Sequence, residues 1–258
     1  MRFFMPLLFA TALVGAADSP APATTPAPAA STPAATPAPS APGSIDLWNG
    51  KDLTGWSFVS NTTTNIASVC HVKDGVMSFD GKPPGYIEIS GNSSNYKLHV
   101  EFLWPVGSPA NCNGGVLVNI SSGPIQQDRW PTSYQIQTKT TRIGDILLMA
   151  GATIAETTPP VTSPTGSPTK DRMADSSEKP FGEWNSIDIT CNGDTIEVTV
   201  NGVLQNRVTK CVPASGKIGF QFEGFPFQLR NVSITPLKTP KPATAQKRGA
   251  ITGLPPPA

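Results

Sequence analysis

The stretch NSIDITCNGDTIEVTVNGVLQN, Asn185 to Asn206, decides the fold. Apolar and polar residues alternate along it, which is the two-residue period of a β-strand with one buried face. Two Asn-Gly pairs, Asn192-Gly193 and Asn201-Gly202, interrupt the alternation. Asn and Gly tolerate positive φ, which tight hairpin turns require. The stretch therefore predicts consecutive antiparallel strands joined by two hairpins.

Other segments of the chain carry the same strand signals, and no segment shows a sustained helical period. The strand candidates are YKLHVEFLW (96–104), GGVLVNI (114–120), WPTSYQIQ (130–137), GKIGFQFEG (216–224) and FQLRNVSITPL (227–237). Many short strands at close spacing are typical of an antiparallel sandwich. We therefore predict an all-β protein whose strands form a two-sheet antiparallel jelly-roll sandwich.

The two ends of the chain differ in composition from its middle. Residues 1–17 have a positive start, an apolar run and a small-residue cleavage site, so they predict a signal peptide. Residues 18–43 are an Ala/Pro-rich linker and residues 238–258 a similar tail, both expected to be disordered. The sandwich domain is expected at 44–237. The apolar run is shorter than the ~20 residues of a spanning helix, so no membrane span is expected.

These features predict an exported bacterial protein, periplasmic or extracellular. The formal net charge of the chain is only +1, which gives no electrostatic case for nucleic acid as a partner. The chain has just two histidines, and its sequence contains no zinc-binding pattern. We therefore expect no metal site and no cofactor, while a bound cation is left open.

Four cysteines in an exported chain allow two disulfides in three possible connectivities. Cys191 and Cys211 flank segments that are predicted to be paired strands, so we predict a disulfide between them. The alternative is that all four are buried thiols. The pairing of Cys70 and Cys112 is left open.

Several phrases follow one another along the domain in a recognisable order. They are LWNGKDLTGW (47–56), VKDGVMSFDG (72–81), NGGVLV (113–118), WPTSYQIQ (130–137), Gly144-Asp145, EKPFGEWNSIDI (178–189), VNGVLQN (200–206), GKIGFQFEG (216–224) and LRNVSITPL (229–237). In this series the chain resembles the 3-keto-disaccharide hydrolase domain family. The resemblance covers essentially all of residues 44–237.

This resemblance implies a jelly roll similar to concanavalin A-like lectins and glucanases, and a carbohydrate as substrate or ligand. The implied reaction is cleavage of sugars that carry a ketone at C3. Such a ketone acidifies the hydrogen on C2, so a base can remove it and the C1 substituent can leave by elimination, after which water adds. An enzyme of this kind needs a base and donors for the developing enolate oxygen, but not the paired carboxylates of ordinary glycosidases.

Three residues are candidates for catalysis, and each has a structural alternative. Glu101 and Glu223 match acidic positions of the family, and either could be the base; Glu101 could equally be a solvated strand residue. Arg230 could bind the ketone oxygen, or it could form a structural pair with a carboxylate, for which its planar fork is suited.

Five residues are candidates for substrate binding. Asn113 could hold a sugar hydroxyl or shape a turn. Gln135 and Gln137 share a strand face with Lys139, and we expect the ligand over that face with Arg230 and Glu223 at its edge. Asp145 could orient a donor, or it could be a turn residue. Trp130 could also stack on a sugar ring.

Two positions depart from what the family usually carries. The family usually has glutamate where Gln135 stands, and the branch with Trp-Pro ahead of that strand often has histidine where Asn119 stands. An amide keeps the hydrogen bonds but cannot accept a proton. The leading hypothesis is therefore a 3-keto-glycoside hydrolase, and the alternative is a non-catalytic carbohydrate-binding or cell-surface module on the same fold.

One long polar segment, residues 156–180, interrupts the strand pattern. Segments of this length are often functional or irregular. A flap over one sheet face is one interpretation, and a surface excursion is the one we favour.

Overall fold

The computed structural model describes residues 42–159, 161 and 166–238. The predicted signal peptide, all but two residues of the linker and all but one of the tail lie outside these residues. The strands are β1 (Ile45–Asp46), β2 (Trp56–Val59), β3 (Cys70–Lys73), β4 (Val76–Phe79), β5 (Gly85–Ile89), β6 (Tyr96–Leu103), β7 (Gly114–Gln126), β8 (Trp130–Gln137), β9 (Ile146–Met149), β10 (Thr169–Lys170), β11 (Asn185–Asn192), β12 (Thr195–Val200), β13 (Val203–Val208), β14 (Lys217–Phe222) and β15 (Phe227–Pro236).

These strands form two antiparallel sheets, which confirms the predicted all-β jelly-roll sandwich. Sheet A has the order β13-β12-β11-β6-β15-β4-β3, with β1 also paired to β15. Sheet B has the order β10-β9-β8-β7-β14-β5-β2. The only helix in the described part of the chain is a 3-10 turn, Ile66–Ser68. No helix there is long and apolar enough to span a membrane.

Both predicted hairpins form, but only the second turn uses its Asn-Gly pair: Asn192 is the last residue of β11, and Gly193 and Asp194 make the first turn. β11 pairs with β12, and β12 pairs with β13, with one turn between each pair of strands. In the second turn Asn201 and Gly202 have φ of 48° and 83°, a left-handed conformation that Asn and Gly adopt at low cost. The Asn201 side chain also accepts a hydrogen bond from the Ser186 N–H at 2.8 Å, so it ties the turn to β11.

Alternation along the strands places most of the buried apolar residues of both sheets in a core between them, and a smaller cluster, which includes Leu117 and Trp130, is separate from it. From sheet A the core takes Leu98, Val100, Phe102, Ile187, Ile189 and Val198, and from sheet B it takes Val116, Val118, Tyr134, Ile136 and Phe220. Each such side chain contributes about 1.5–3 kcal/mol by leaving water. The residues between them on each strand therefore point to the outer faces, where the candidate site residues lie.

The predicted Cys191–Cys211 disulfide is wrong. Both residues are buried free thiols, as are the other two cysteines. Cys191 lies on β11 and Cys211 follows β13, and β12 runs between those strands. Strands lie ~4.8 Å apart, so two intervals give ~10 Å, beyond the ~4.4–6.8 Å between Cα atoms that a disulfide needs. Burial raises the pKa of each of these two thiols to about 12.

Part of the segment 156–180 lies against sheet B, while its residues 160 and 162–165 are outside the described residues. Its residues Thr169–Lys170 form β10, which pairs with β9. Just before β10, the Ser167 hydroxyl donates to the Gln126 side-chain oxygen at 3.3 Å and contacts the Met149 sulfur at 3.4 Å. The flap interpretation therefore describes residues 166–170 better than the surface excursion that we favoured.

Candidate functional site

A cavity of about 130 Å³ lies on the outer face of sheet B. Gln135 and Gln137 project into it from β8, because Tyr134 and Ile136 between and beside them face the core. The lining residues are Asn113, Gln126, Gln127, Trp130, Gln135, Gln137, Leu147, Met149, Gly166, Ser167, Gln221 and Glu223. Four of the predicted site residues, Asn113, Gln135, Gln137 and Glu223, are thus brought together.

Gly115 makes room for the central amide of this cavity. A Cβ atom at position 115 would lie 2.5 Å from Cγ of Gln135 and 2.9 Å from its Nε2. The Gln135 side chain therefore lies directly over the backbone of β7. The second glycine of the phrase NGGVLV is therefore needed because any larger residue would collide with the Gln135 side chain.

Two hydrogen bonds fix the polar side chains of the cavity. Gln135 donates from Nε2 to Oε1 of Gln137 at 2.9 Å. Asn113 donates from Nδ2 to Oε2 of Glu223 at 2.5 Å. Within the described residues the remaining side-chain oxygens of Asn113, Gln135 and Gln221 are buried and have no hydrogen-bond partner.

Among the described residues that line this cavity, Glu223 is the only one with an ionisable side chain. Burial raises its pKa, and this effect outweighs the opposing ones of the Asn113 amide and the positive charges of Arg129 and Lys139. A raised pKa makes the ionised carboxylate a stronger base than an exposed glutamate. The cavity therefore holds one carboxylate suited to taking a proton.

Glu101 and Arg230 lie on the outer face of the other sheet, so the expectation that Arg230 borders the glutamine face is wrong. They pair across β6 and β15, with Arg230 Nε 2.6 Å from Glu101 Oε2. The Arg230 guanidinium also lies over the Trp184 ring, 4.1 Å from its centroid. Asn231 donates to the second oxygen of Glu101 at 2.9 Å. This arrangement corresponds to the structural pair that was the alternative for Arg230, and Glu101 is the partly buried partner in that pair and not a solvated strand residue.

The charge state of Glu101 also argues against a role as base. Burial alone would raise its pKa, but hydrogen bonds from His99, Asn231 and Arg230 lower it to about 2. A carboxylate stabilised in this way holds protons weakly. Of the two glutamates proposed as base, Glu223 is the one whose surroundings suit the task.

Asp145 and Lys139 are near the cavity but do not line it. Asp145 is 1% exposed and accepts the Arg172 backbone N–H at 2.9 Å and contacts Arg142 Nε at 2.5 Å. It therefore anchors the segment that follows β10, as a structural residue would. Lys139 acts on the site through its charge, which lowers the pKa of Glu223.

Asn119 does not line the cavity either. It lies where the pairing of β7 with β8 shifts register, and its φ is 55°, which asparagine tolerates better than most residues. Its Nδ2 donates to the Pro213 carbonyl at 3.1 Å. The amide at this position therefore ties β7 to the loop between β13 and β14.

Sequence reasoning missed Gln221 as a site residue. Gln221 lies on β14 and Glu223 directly follows that strand, two residues later, so the strand period continued by one residue places both on one face. That spacing was visible in the phrase GKIGFQFEG. Ser167 had no such signal, because its position depends on how the segment before β10 folds back.

A second, more open cavity of about 540 Å³ lies beside the segments 140–141 and 172–181. Its charged side chains already bind the backbone. Arg172 donates to the Thr141 carbonyl at 2.7 Å, and Glu178 accepts the Thr141 N–H at 2.9 Å. Lys179 donates to the Trp184 carbonyl at 2.9 Å. These contacts indicate a structural corner, whereas the first cavity has unpartnered polar atoms.

Metal-binding clusters were sought among the same described residues. No group of three or more His, Cys, Asp or Glu side chains there is arranged to hold a metal ion. The first cavity offers amide oxygens and one carboxylate instead.

The fold and this cavity together define a jelly-roll sandwich with a carboxylate and amides on one sheet face. The chain belongs to the 3-keto-alpha-glucoside-1,2-lyase-like domain family, whose model matches residues 43–235. The resemblance inferred from the ordered phrases is thereby confirmed. No curated protein is significantly similar to the chain.

Two solved structures share the fold. A putative glycosyl hydrolase from Parabacteroides distasonis ATCC 8503, solved at 1.70 Å, has a TM-score of 0.56 and 20% identity, over 76% of this chain and 94% of that chain. A second putative glycosyl hydrolase from the same organism has a TM-score of 0.52 and 19% identity, over 75% and 99%. At these identities the likeness concerns the architecture.

Proposed function

We propose that this protein cleaves 3-keto-glycosides by elimination across C1 and C2 followed by hydration, with Glu223 as the base. Family membership supports the class of reaction. The single observation that carries the proposal is a half-buried carboxylate with a raised pKa, held by Asn113 in a cavity otherwise lined by neutral groups. A general base of this kind typically contributes ~10²–10⁴-fold to the rate.

The steps balance without another ionisable group. Glu223 takes the proton from C2, and the electron pair of the C–H bond moves into the enolate of the C3 ketone. The enolate re-forms the ketone as the C1–O bond breaks, and Glu223 can return its proton to the departing oxygen. Water then adds to C1 of the resulting enone, and C2 regains a proton.

The amides of the cavity would bind and orient the ring. Gln137 accepts the Gln135 N–H at 2.9 Å, so its own NH₂ group remains as a donor for the enolate oxygen. Gln135 cannot act as a base, because a neutral amide does not accept a proton at ordinary pH. With a single ionisable side chain at the site, turnover is expected to be slow beside relatives that carry glutamate at this position.

A non-catalytic carbohydrate-binding module is the second candidate. The observation that favours it is that residue 135 is glutamine where the family usually has glutamate. An amide at this position keeps the hydrogen bonds that bind a sugar but removes a proton acceptor. The two functions differ in one result, turnover of a 3-keto-glycoside.

We also propose that the protein is exported, to the periplasm or beyond the cell. The proposal rests on the charged start, apolar run and small-residue site of residues 1–17. N-terminal sequencing of protein recovered from outside the cytoplasm tests it, and retention of Arg2 in that protein would contradict it.

The reaction is tested by comparing two carboxylate-to-amide variants on a 3-keto-glucoside. We expect Glu223→Gln to lower kcat by ~10²–10⁴-fold, because it removes the base. Glu101→Gln makes the same chemical change on the other sheet and should retain turnover at temperatures where it is folded. Loss of turnover in Glu101→Gln with full activity in Glu223→Gln would contradict the assignment, and no turnover by the wild type would favour the binding module.

A further inference from the structure

The cavity on sheet B contains buried side-chain oxygens that no donor among the described residues reaches. Side-chain oxygens of Asn113, Gln135 and Gln221 have no partner within the described residues. The orientations of Asn113 and Gln135 are fixed, because their NH₂ groups donate to Glu223 and Gln137. Gln135 is 1% exposed and Gln221 is 4% exposed, so bulk water does not satisfy these oxygens.

Buried acceptors without partners are rare in native proteins, because each loses its bonds to water on folding. Three of them around one cavity indicate that a ligand supplies the missing donors. Hydroxyl and ammonium groups are donors, whereas a carboxylate is an acceptor only. The cavity therefore distinguishes ligands by the kind of polar group they carry.

The charge of the cavity points in the same direction. Glu223 is the only ionisable group that the described part of the chain contributes to its lining. Two cations, Arg129 and Lys139, act on Glu223 from outside the lining, and Arg129 lies over the Trp130 ring at 5.4 Å. A ligand carboxylate inside the cavity would meet a like charge and unpartnered oxygens.

The size of the cavity limits the ligand to one ring. Its volume of about 130 Å³ is well below the ~300–1,000 Å³ of pockets for drug-sized ligands. The apolar side chains of Leu147 and Met149 and the Trp130 ring line its remaining wall, which suits the carbon face of a sugar.

We propose that this cavity is a donor-selective subsite that takes one neutral or amine-bearing sugar ring and rejects uronic acids. The inference rests on the proposed function for the identity of the ligand as a sugar, and it adds which class of sugar the site accepts.

The test is binding of three matched probes to the full chain by titration calorimetry at pH 7. They are methyl α-glucoside, its 6-amino-6-deoxy derivative and methyl α-glucuronide, which differ only at C6. We expect the amine to bind at least as tightly as the parent, and the glucuronide at least ~10-fold more weakly. The Glu223→Gln variant should reduce the difference in affinity between the amine and the glucuronide.

Glu183→Gln is the matched control, because it removes the same charge at an exposed position outside the cavity lining and should leave the ranking unchanged. Glucuronide binding as tightly as the parent would overturn the inference, and so would the absence of binding by all three probes. None of the probes carries a ketone, so the ranking is independent of turnover. If the protein turns over a 3-keto-glucoside but its affinities for the three probes do not follow the expected order, only this inference is wrong. If the affinities follow that order but there is no turnover, only the proposed reaction is wrong.

Discussion

Substituting Gly115 by alanine tests whether the backbone of β7 is shaped for the Gln135 side chain. The new Cβ would lie 2.5 Å from Cγ of Gln135, where ordinary carbon contacts are ~3.5–4.0 Å. Cγ is close to the backbone of β8, so the whole side chain must leave its rotamer. Its hydrogen bond to Gln137 at 2.9 Å is then lost.

The expected cost follows from these two effects. Overpacking of this size destabilises by about 1–3 kcal/mol, and a lost hydrogen bond adds about 1 kcal/mol. For a domain of this length each kcal/mol corresponds to ~2–4 °C in Tm, so Gly115→Ala should lower Tm by roughly 4–16 °C. Position 115 has no left-handed φ that would itself penalise alanine.

A double-mutant cycle with Gln135→Ala, followed by thermal and urea unfolding, isolates the contact. Without the Gln135 side chain, Gly115→Ala has nothing to collide with, so its cost should fall close to zero. We expect a coupling free energy of about 2–4 kcal/mol between the two positions, which is the cost of Gly115→Ala in the wild type minus its cost without the Gln135 side chain. If Gly115→Ala is equally destabilising in both backgrounds, the steric account of the cavity is wrong.

Three further outcomes follow from the structure. Arg230→Ala should lower Tm by roughly 2–10 °C and leave sugar affinity unchanged, because it removes the partner of Glu101 on the other sheet; reduced affinity at constant Tm would contradict that placement. The hydrogen bond with Asp188, followed by that with Glu101, raises the pKa of His99 from 6.5 to about 9, so its stabilisation is complete below pH 6.5 and is lost as pH rises through 9. Tm measured across that range should fall in the wild type and fall less in His99→Gln, and equal slopes would contradict the pairing. Gln135→Glu should raise turnover of a 3-keto-glucoside and add an acidic limb to the pH profile of the rate. Because residue 135 is buried, the variant should also unfold more easily as pH rises above the ordinary pKa of glutamate. If the wild type is already fast and the variant is slower, the amide is the better group and the prediction is wrong.

Local chemistry was enough to predict the strands and part of the site. Asn201-Gly202 adopts the positive φ that its hairpin turn needs, and alternation alone placed Gln135 and Gln137 on one face of β8. Glu223 and Asn113 were named by resemblance, and the structure places both beside those glutamines. The order of the strands in the two sheets then showed that Glu101 and Arg230 lie on the other sheet from these residues, which the sequence could not show.

Two of the failures are statements about which strands neighbour one another. Arg230 was expected near Gln135, but β15 belongs to the other sheet, where it pairs with β6. Cys191 and Cys211 were expected to bond, but β12 runs between their strands. Alternation specifies a face and not a sheet, so long-range pairing of this kind has no local signal.

The most direct test of the proposed chemistry is the fate of the C2 hydrogen. Wild-type protein is incubated with a 3-keto-glucoside in D₂O, and the released 3-keto-sugar is followed by NMR from the earliest time points. A sample of the same sugar without protein corrects for spontaneous exchange. Elimination with Glu223 as base predicts that the product carries deuterium at C2 as soon as it appears, because the proton is lost before the C1–O bond breaks. Product that retains hydrogen at C2 would show direct hydrolysis and would contradict the account.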